Sequence, residues 1–506
     1  MLFVSRDRSG RTPGRSFHLR GRLKSGLLLA VAFLLLVQGS GICQTPPRRA
    51  APPADLSTNA GEAEAGREQN PEVLAAFGGA YNNPAMQAYV NEVGQKLAAQ
   101  CDRRGIRFTF TVLDTPIVNA LAIPGGYIYV TRGLLALVND ESELAGVLGH
   151  EVGHVAARHH AKAQERQALA RAATNAAMGR RSPLMRGGSV PALDYLQSFP
   201  QNDEYEADEL GIRFAAKAGY EPRSMATFLA TLREYSRLEA TMLGRSPDSV
   251  DKFDYTATHP TAAERFKRAL DQANSLIPAN PIVGRKVYLS KIGGLLYGEA
   301  PEQGFIRGRN FLHPILRIRF EVPEGFQLFD TAERVFALNP NKALIVFDGG
   351  PEKTGMRMAD YLTGVFAKGI FLQDVRSGKI NGLDGATGTT LINTPRGPMS
   401  MRLVAIRADA EHVYRFQYES PPSINAQVTP EFARTTASFR TLTPAEAAAL
   451  KARHVEVINV KSTDTVGGLA RQLPFDDYKL ERFRILNSLG PGSRLEPGQQ
   501  LKQIVE

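Results

Sequence analysis

The sequence predicts an α+β protein in three parts: a mainly helical domain with a small β-sheet, a separate α+β domain, and a small C-terminal module. Three observations carry this. Between residues 84 and 276 apolar side chains recur largely at the i, i+3, i+4, i+7 spacing of amphipathic helices, broken by a few strand-like runs. Beyond the Pro-rich stretch Ile277-Pro-Ala-Asn-Pro281 the period changes, and short strands alternate with short helices. From Val455 onward two strand runs flank a helical middle.

A chain of 506 residues is long enough for two to four domains with real cores. Its net charge of +10 is concentrated at one end: residues 1–43 hold seven Lys and Arg against Asp7, a surplus of six. The remainder shows no basic stripe interleaved with aromatics, so no nucleic acid is expected as a partner. The basic stretch precedes Leu27–Val37, an apolar run of eleven, and then Gln38-Gly-Ser-Gly41. That is the layout of a secretory signal over 1–43. Eleven apolar residues fall short of the roughly 20 that span a bilayer; an uncleaved anchor, giving membrane association, is the alternative. Ile42 before Cys43 argues against lipidation. Cleavage after Cys43 leaves Cys101 alone, with no internal disulfide. A periplasmic location is the expectation.

Residues 44–70 are rich in Pro, Ala and charge, without periodicity, and read as a flexible linker. Met86, Tyr89, Val90, Val93, Leu97 and Ala98 mark a helix, and Phe108–Val112 alternates as a strand. Asp114-Thr-Pro116 breaks it, and Val118–Val130 reads as a strand pair around Pro124-Gly-Gly126. A helix follows around His150, then Asp203–Ala218, Met225–Leu243 and Thr261–Leu276, the last opened by a capping signature with Glu264. Between the first two, Gly179–Phe199 is a poor helix, read as a flap over a cleft or a surface insertion. These elements make one domain over 71–277. In 283–443, strands are expected at Val287–Leu289, Leu316–Val322, Ala343–Phe347, Met401–Ile406 and Val413–Tyr418. Helices are expected at Met358–Gly369 and Pro430–Ser438. Thr443–Ala452 connects to the last module, 444–506. No long internal repeat is present.

The chemistry concentrates at His150-Glu-Val-Gly-His154. On a helix, residues four apart share a face, so two imidazoles can hold one metal ion with Glu151 beside the open position as general base. A chance match on a core helix is the plain alternative. A catalytic zinc needs a third protein ligand. His160 does not reach: Ala157 favours an unbroken helix, on which His160 lies roughly 9 Å beyond His154 and about 120° around. His159 and His160 are then solvent-side neighbours of the helix end. Glu204-Tyr-Glu-Ala-Asp208 is the better source, because Glu204 and Asp208 share a helix face: one can ligate while the other bonds a ligand imidazole. On physics alone Glu206 or Asp203 remains open, and an acidic helix is often only a solvated face.

His150-Glu-Val-Gly-His154, then Glu204-x-x-Ala-Asp208, then His259-Pro-x-x-x-x-Arg265 occur in the order seen in the gluzincin zinc metallopeptidases of the CAAX prenyl endopeptidase and HtpX. Asn119–Gly133 also resembles that family, and the periplasmic BepA-like branch is the most similar. The resemblance covers about 70–275. It implies a zincin-like metalloprotease domain with one Zn2+ on His150, His154 and Glu204, and Asp208 orienting an imidazole. Zinc would acidify a water and polarise the scissile carbonyl, Glu151 would move the proton, and His259 and Arg265 would supply donors to the oxyanion. Pro200-Gln201 departs from the family at the entry to the Glu204 helix. The strand Ala120–Tyr129 is expected to be an edge that binds substrate backbone by β-augmentation, through Asn119, Ala120, Leu121 and Ala122.

Ile458–Val466, Leu469-Ala470, Phe483–Asn487 and Leu495–Leu501 resemble a lysin motif, which implies binding to peptidoglycan; Gln472–Leu480 is a longer insertion than usual. Phe320–Phe326 resembles Mog1/PsbP-like domains and implies no function. The expected function is a zinc metalloendopeptidase of the bacterial envelope, acting on misfolded or unassembled envelope proteins. The alternative is an envelope binding or chaperone-like protein, for outer-membrane clients or peptidoglycan, with a latent protease domain.

Overall fold

The computed structural model describes residues 56–178, 199–251, 263–330, 334–350, 355–394 and 397–506. The signal read over 1–43, the flap over 179–198 and His259 lie outside the described residues.

The first half is helical around a three-stranded sheet. Its elements are α1 (Asn59–Ala76), α2 (Pro84–Ala98), β1 (Thr109–Leu113), β2 (Ala120–Ile123) and β3 (Tyr127–Thr131). They continue as α3 (Arg132–Leu137), α4 (Glu141–Ala156), α5 (His159–Met178), α6 (Gln201–Lys217), α7 (Ser224–Met242) and α8 (Ala263–Asn274). β3 is central, parallel to β1 with Thr109 opposite Tyr127 and antiparallel to β2 with Ala120 opposite Val130. The strand pair read around Pro124-Gly-Gly126 is thus present. β2 is an edge.

Of the segment read as a linker over 44–70, residues 59–70 are helical and belong to α1. Thr58 caps it by accepting from the Gly61 amide, and it lies against the β2–β3 turn. Gly66 permits this: a Cβ there would fall 2.0 Å from the Pro124 carbonyl oxygen. Its buried Glu62 bonds Arg103 at 2.9 Å and Arg158 at 3.1 Å, so charge that looked solvated is paired. Pairing was invisible to composition.

Val287–Leu289, expected as a strand, lies inside a helix, α9 (Arg285–Ile292). Tyr288, Leu289 and Ile292 are buried on it at the i, i+1, i+4 spacing of a helix, whereas the three apolar residues Val287–Leu289 taken alone are too short a run to separate helix from strand. After β4 (Leu296–Tyr297) comes a seven-stranded antiparallel sheet with a long hairpin from Leu383–Thr394 to Gly397–Arg407, and a four-stranded sheet beside it. Leu344–Gly350 and Val413–Ser420 pair at its centre, and Pro422–Ser438 packs on it as a helix. Phe320, Phe347, Phe416 and Phe439 fill that core.

The last module runs strand Arg453–Asn459, helices Val466–Arg471 and Lys479–Leu486, and strand Gln500–Val505. Its two strands pair antiparallel, and β4 adds to them. Leu469, Phe483, Leu501 and Ile504 share one continuous core with Val90, Leu135, Leu148 and Phe214 of the helical half. Among the described residues, no helix is long and apolar enough to cross a membrane.

Candidate metal centre

α4 starts where Asp140 accepts a hydrogen bond from the Glu143 amide at 2.8 Å, with Glu141 and Glu143 in the first turn complementing the helix dipole. It carries His150, Glu151 and His154, which are 4%, 2% and 0% exposed. α6 crosses it at unusually close range, because both helices have glycine at the contact. A Cβ on Gly153 would lie 2.8 Å from the Ala207 carbonyl oxygen, and one on Gly211 would lie 2.6 Å from the His150 amide nitrogen. α6 begins at Pro200, whose carbonyl accepts from the Asp203 and Glu204 amides, so the Pro200-Gln201 departure leaves the helix entry formed.

That approach brings Glu204 to the imidazole pair. Nε2 of His150 and Nε2 of His154 are 2.9 Å apart, and the Glu204 carboxylate oxygens lie 3.6 Å and 3.5 Å from them. Two zinc bonds of about 2.05 Å at a tetrahedral angle separate their ligand atoms by about 3.3 Å, so the spacing and the His-His-carboxylate chemistry fit zinc. Among the described residues this is the one His, Cys, Asp and Glu group compact enough to hold a metal ion.

Oδ1 of Asp208 lies 2.8 Å from Nδ1 of His150, a carboxylate that favours the proton on that nitrogen and the lone pair on Nε2. Arg265 is 3% exposed and stands behind both carboxylates: Nε and Nη2 donate to Asp208 at 2.8 Å and 2.7 Å, and Nη1 is 3.0 Å from Glu204. Burial alone would raise the Asp208 carboxyl, but the Arg265 guanidinium and His150 hold it well below the ordinary carboxylate range. Burial likewise works against the Arg265 charge, and Asp208 and Glu204 outweigh it. The resemblance implies an oxyanion donor at Arg265, and its guanidinium here contacts the carboxylates of Asp208 and Glu204. Asn119 to Ala122 sit at and just before the edge strand β2, with Ala120, Leu121 and Ala122 buried.

His159 departs from expectation. The α4 helix stops at Ala156 despite Ala157, because Arg158 takes φ 60 in the left-handed region. The chain turns, and His159 comes back fully buried with Nδ1 2.8 Å from Nδ1 of His154. It is no solvent-side residue. Phe199, just before α6, stacks on the His154 ring at 4.3 Å between centroids. No periodicity signals His159 or Phe199. The glycines did have a signal, since Gly149 and Gly153 repeat at helical spacing on the face that meets α6. A separate cavity of about 460 Å³, lined by Leu137, Tyr235, Tyr297, Phe475 and Arg482, includes none of the cluster residues.

Residues 84–273 match the sequence profile of Peptidase family M48. The beta-barrel assembly-enhancing protease of Yersinia pestis is 30% identical over 222 residues, 41% of this chain and 43% of that one. The mitochondrial metalloendopeptidase OMA1 of Arabidopsis thaliana is 34% identical over 196 residues, 39% of this chain and 37% of that one. The chain therefore spans less than half the length of these relatives. Among solved structures, cyanobacterial PsbP from Synechocystis aligns over 27% of this chain and 98% of its own, at 10% identity and a TM-score of 0.22. The segment that matches Peptidase family M48 contains His150, Glu151, His154 and Glu204, and it is to that family that this part of the chain is similar.

Proposed function

We propose that this chain is a zinc-dependent metalloendopeptidase of the bacterial envelope, cleaving misfolded or unassembled polypeptides in protein quality control. The observation that carries the reading is the buried convergence of His150, His154 and Glu204 on α4 and α6, with Glu151 between the two histidines. The names of the relatives, a beta-barrel assembly-enhancing protease and a metalloendopeptidase, support the activity and the setting.

His150, His154 and Glu204 would hold the ion, which when bound would supply a Lewis acid for the scissile carbonyl and lower the pKa of the attacking water. Glu151 takes a proton from the attacking water and delivers it to the amine nitrogen as the peptide C–N bond breaks. Arg265 and Asp208 keep Glu204 and His150 in place. His259, which lies outside the described residues, we keep as an oxyanion donor on the family resemblance alone. β2 pairs with β3 on one side, which supports its reading as the strand that takes substrate backbone.

The second reading, a binding or chaperone-like protein whose protease domain is latent, is favoured by the depth of the cluster and by Phe199 stacked on His154. Substitution Glu151→Gln separates the two. With zinc still bound at one per chain, loss of casein cleavage by about 10²–10⁴-fold supports the peptidase. No cleavage by the wild-type protein, or cleavage untouched by the substitution, rejects it. The strand–helix–helix–strand order of the last module supports a lysin motif and a peptidoglycan ligand, which a pull-down on purified sacculi tests.

A further inference from the structure

The two histidines of the cluster are oriented by different partners. His150 has its Nδ1 directly against a carboxylate, 2.8 Å from Oδ1 of Asp208. His154 instead faces another imidazole, with Nδ1 of His159 at 2.8 Å. The far nitrogen of His159, Nε2, is 3.2 Å from Oε2 of Glu206, and Lys162 Nζ holds that same oxygen at 3.0 Å. Two neutral imidazoles that meet nitrogen to nitrogen bond only when one brings a proton and the other a lone pair. Nε2 of His154 points into the cluster and needs its lone pair there, so the His154 proton sits on Nδ1. His159 then accepts at Nδ1 and carries its own proton on Nε2, the atom that faces an acceptor-only carboxylate. One arrangement satisfies all four nitrogens.

We propose that His159 is a positioning residue for the metal centre: it fixes the tautomer and ring plane of His154, and Glu206 fixes His159 in turn. The proposal rests on the metal reading above and goes beyond it by giving a role to a residue outside the ligand set. The surrounding chain is built to place this ring. Arg158 adopts its left-handed conformation with Nε on Glu62 at 3.1 Å, and Glu62 is also held by Arg103 at 2.9 Å. Without that turn the α4 helix would carry His159 away from His154 instead of back onto it. Phe199 packs against both rings, at 4.3 Å and 5.7 Å between centroids, and limits their rotation.

The test measures zinc affinity on the full chain by competition with a chromogenic chelator. Cobalt substitution reports ligand geometry, and thermal melting of the metal-free proteins controls for folding. His159→Leu removes the acceptor and is expected to lower zinc affinity about 10–100-fold and to shift the cobalt d–d bands. His159→Asn places an amide oxygen near the Nδ1 position, still accepts from His154, and is expected to stay near the wild-type affinity. Glu206→Ala, at a half-exposed site, frees His159 to take either tautomer and is expected to fall between the two; it decides the matter if His159→Leu does not fold. Wild-type affinity in His159→Leu overturns the proposal, as do equal losses in the Leu and Asn variants, which would mean packing alone. So does wild-type affinity in Glu206→Ala. If the wild-type chain itself binds no zinc, the metal reading fails first, and the result is distinguishable from failure of His159 alone.

Discussion

Gly211 and His150 touch backbone to backbone: a methyl group added to Gly211 would stand 2.6 Å from the His150 amide nitrogen. The relationship is reciprocal, since a Cβ on Gly149 would meet the Gly211 carbonyl oxygen at 2.9 Å. The distance between α4 and α6, and with it the placing of Glu204 against two imidazoles, is set by side chains that are missing.

Gly211→Ala is therefore predicted to behave against helix propensity. In an open helix the change would stabilise by up to about 1 kcal/mol. Here the neighbour is backbone and cannot swing aside, so overpacking is expected to cost about 1–3 kcal/mol. Because the helices move apart where the ligands meet, zinc affinity should fall with stability. Chemical denaturation and zinc titration of the variant check both; a more stable variant with unchanged affinity would contradict the account.

The Arg265 guanidinium neutralises two buried carboxylates at once. Arg265→Met leaves Glu204 and Asp208 buried with no cation, which is expected to cost about 3–5 kcal/mol in the metal-free protein. Arg265→Lys should recover little, because Nε and Nη2 meet the two oxygens of Asp208 as a fork that an ammonium cannot reproduce. Added zinc supplies positive charge at Glu204, so the deficit should shrink when metal is present. Unfolding curves with and without zinc test this.

Part of the cluster was legible because its signal is local: four-residue spacings put His150 with His154 and Glu204 with Asp208 on shared faces, while the choice of Glu204 over Asp203 or Glu206 came from the family resemblance. The α4, α6, α7 and β3 elements were legible for the same reason. What stayed hidden depends on contacts between distant segments. Glu62 in α1 bonds Arg158 at its left-handed turn, and that turn brings His159 back to His154. Arg265 could be placed near the site but not assigned its contacts, since a guanidinium serves an oxyanion or a carboxylate equally well. Val287, Tyr288 and Leu289 form a short apolar run that suits a strand or a buried helix turn equally, and they lie in a helix.

Glu143 gives a pH dependence whose sign is fixed. It is 2% exposed, and burial, with Asp140 nearby, pushes its carboxyl up to about 7 from an ordinary 4.5. A carboxyl raised in the folded state contributes stability that is fully present below its unfolded pKa and is lost as pH rises through the folded one. Stability from this group should fall between about pH 4.5 and pH 7. Glu143→Gln mimics the protonated acid: its amide oxygen can accept from the Asn139 amide and its NH2 can donate to Thr227, where the carboxylate now accepts at 2.7 Å and 2.9 Å. The variant should melt close to wild type at pH 5 and above it at pH 8; the reverse order would reject the assignment.

Lys502 ties the last module to the end of α3, just ahead of the helix that carries the histidines. It is fully buried, and its Nζ donates to the carbonyls of Ala136, Leu137 and Val138 at 2.8, 3.0 and 2.7 Å, closing the C-terminal end of α3 just before the Asp140 cap of α4. Ser488 reinforces the junction, with Asn139 Nδ2 at 2.7 Å and Thr231 Oγ1 at 2.8 Å. A module that merely tethered the protein to a polymer would have no need of a buried ammonium inside its neighbour. Lys502→Met fills the volume but strands buried carbonyls, at about 1–3 kcal/mol for a group left unsatisfied. Because Leu501 and Ile504 share a core with Leu135 and Leu148, the loss should lower a single transition common to both parts. A chain ending at Leu450 should then fail to give a cooperative helical half or to retain zinc. Calorimetry decides: two separate transitions in the wild type, with only the smaller one moved by Lys502→Met, would mean the module folds on its own.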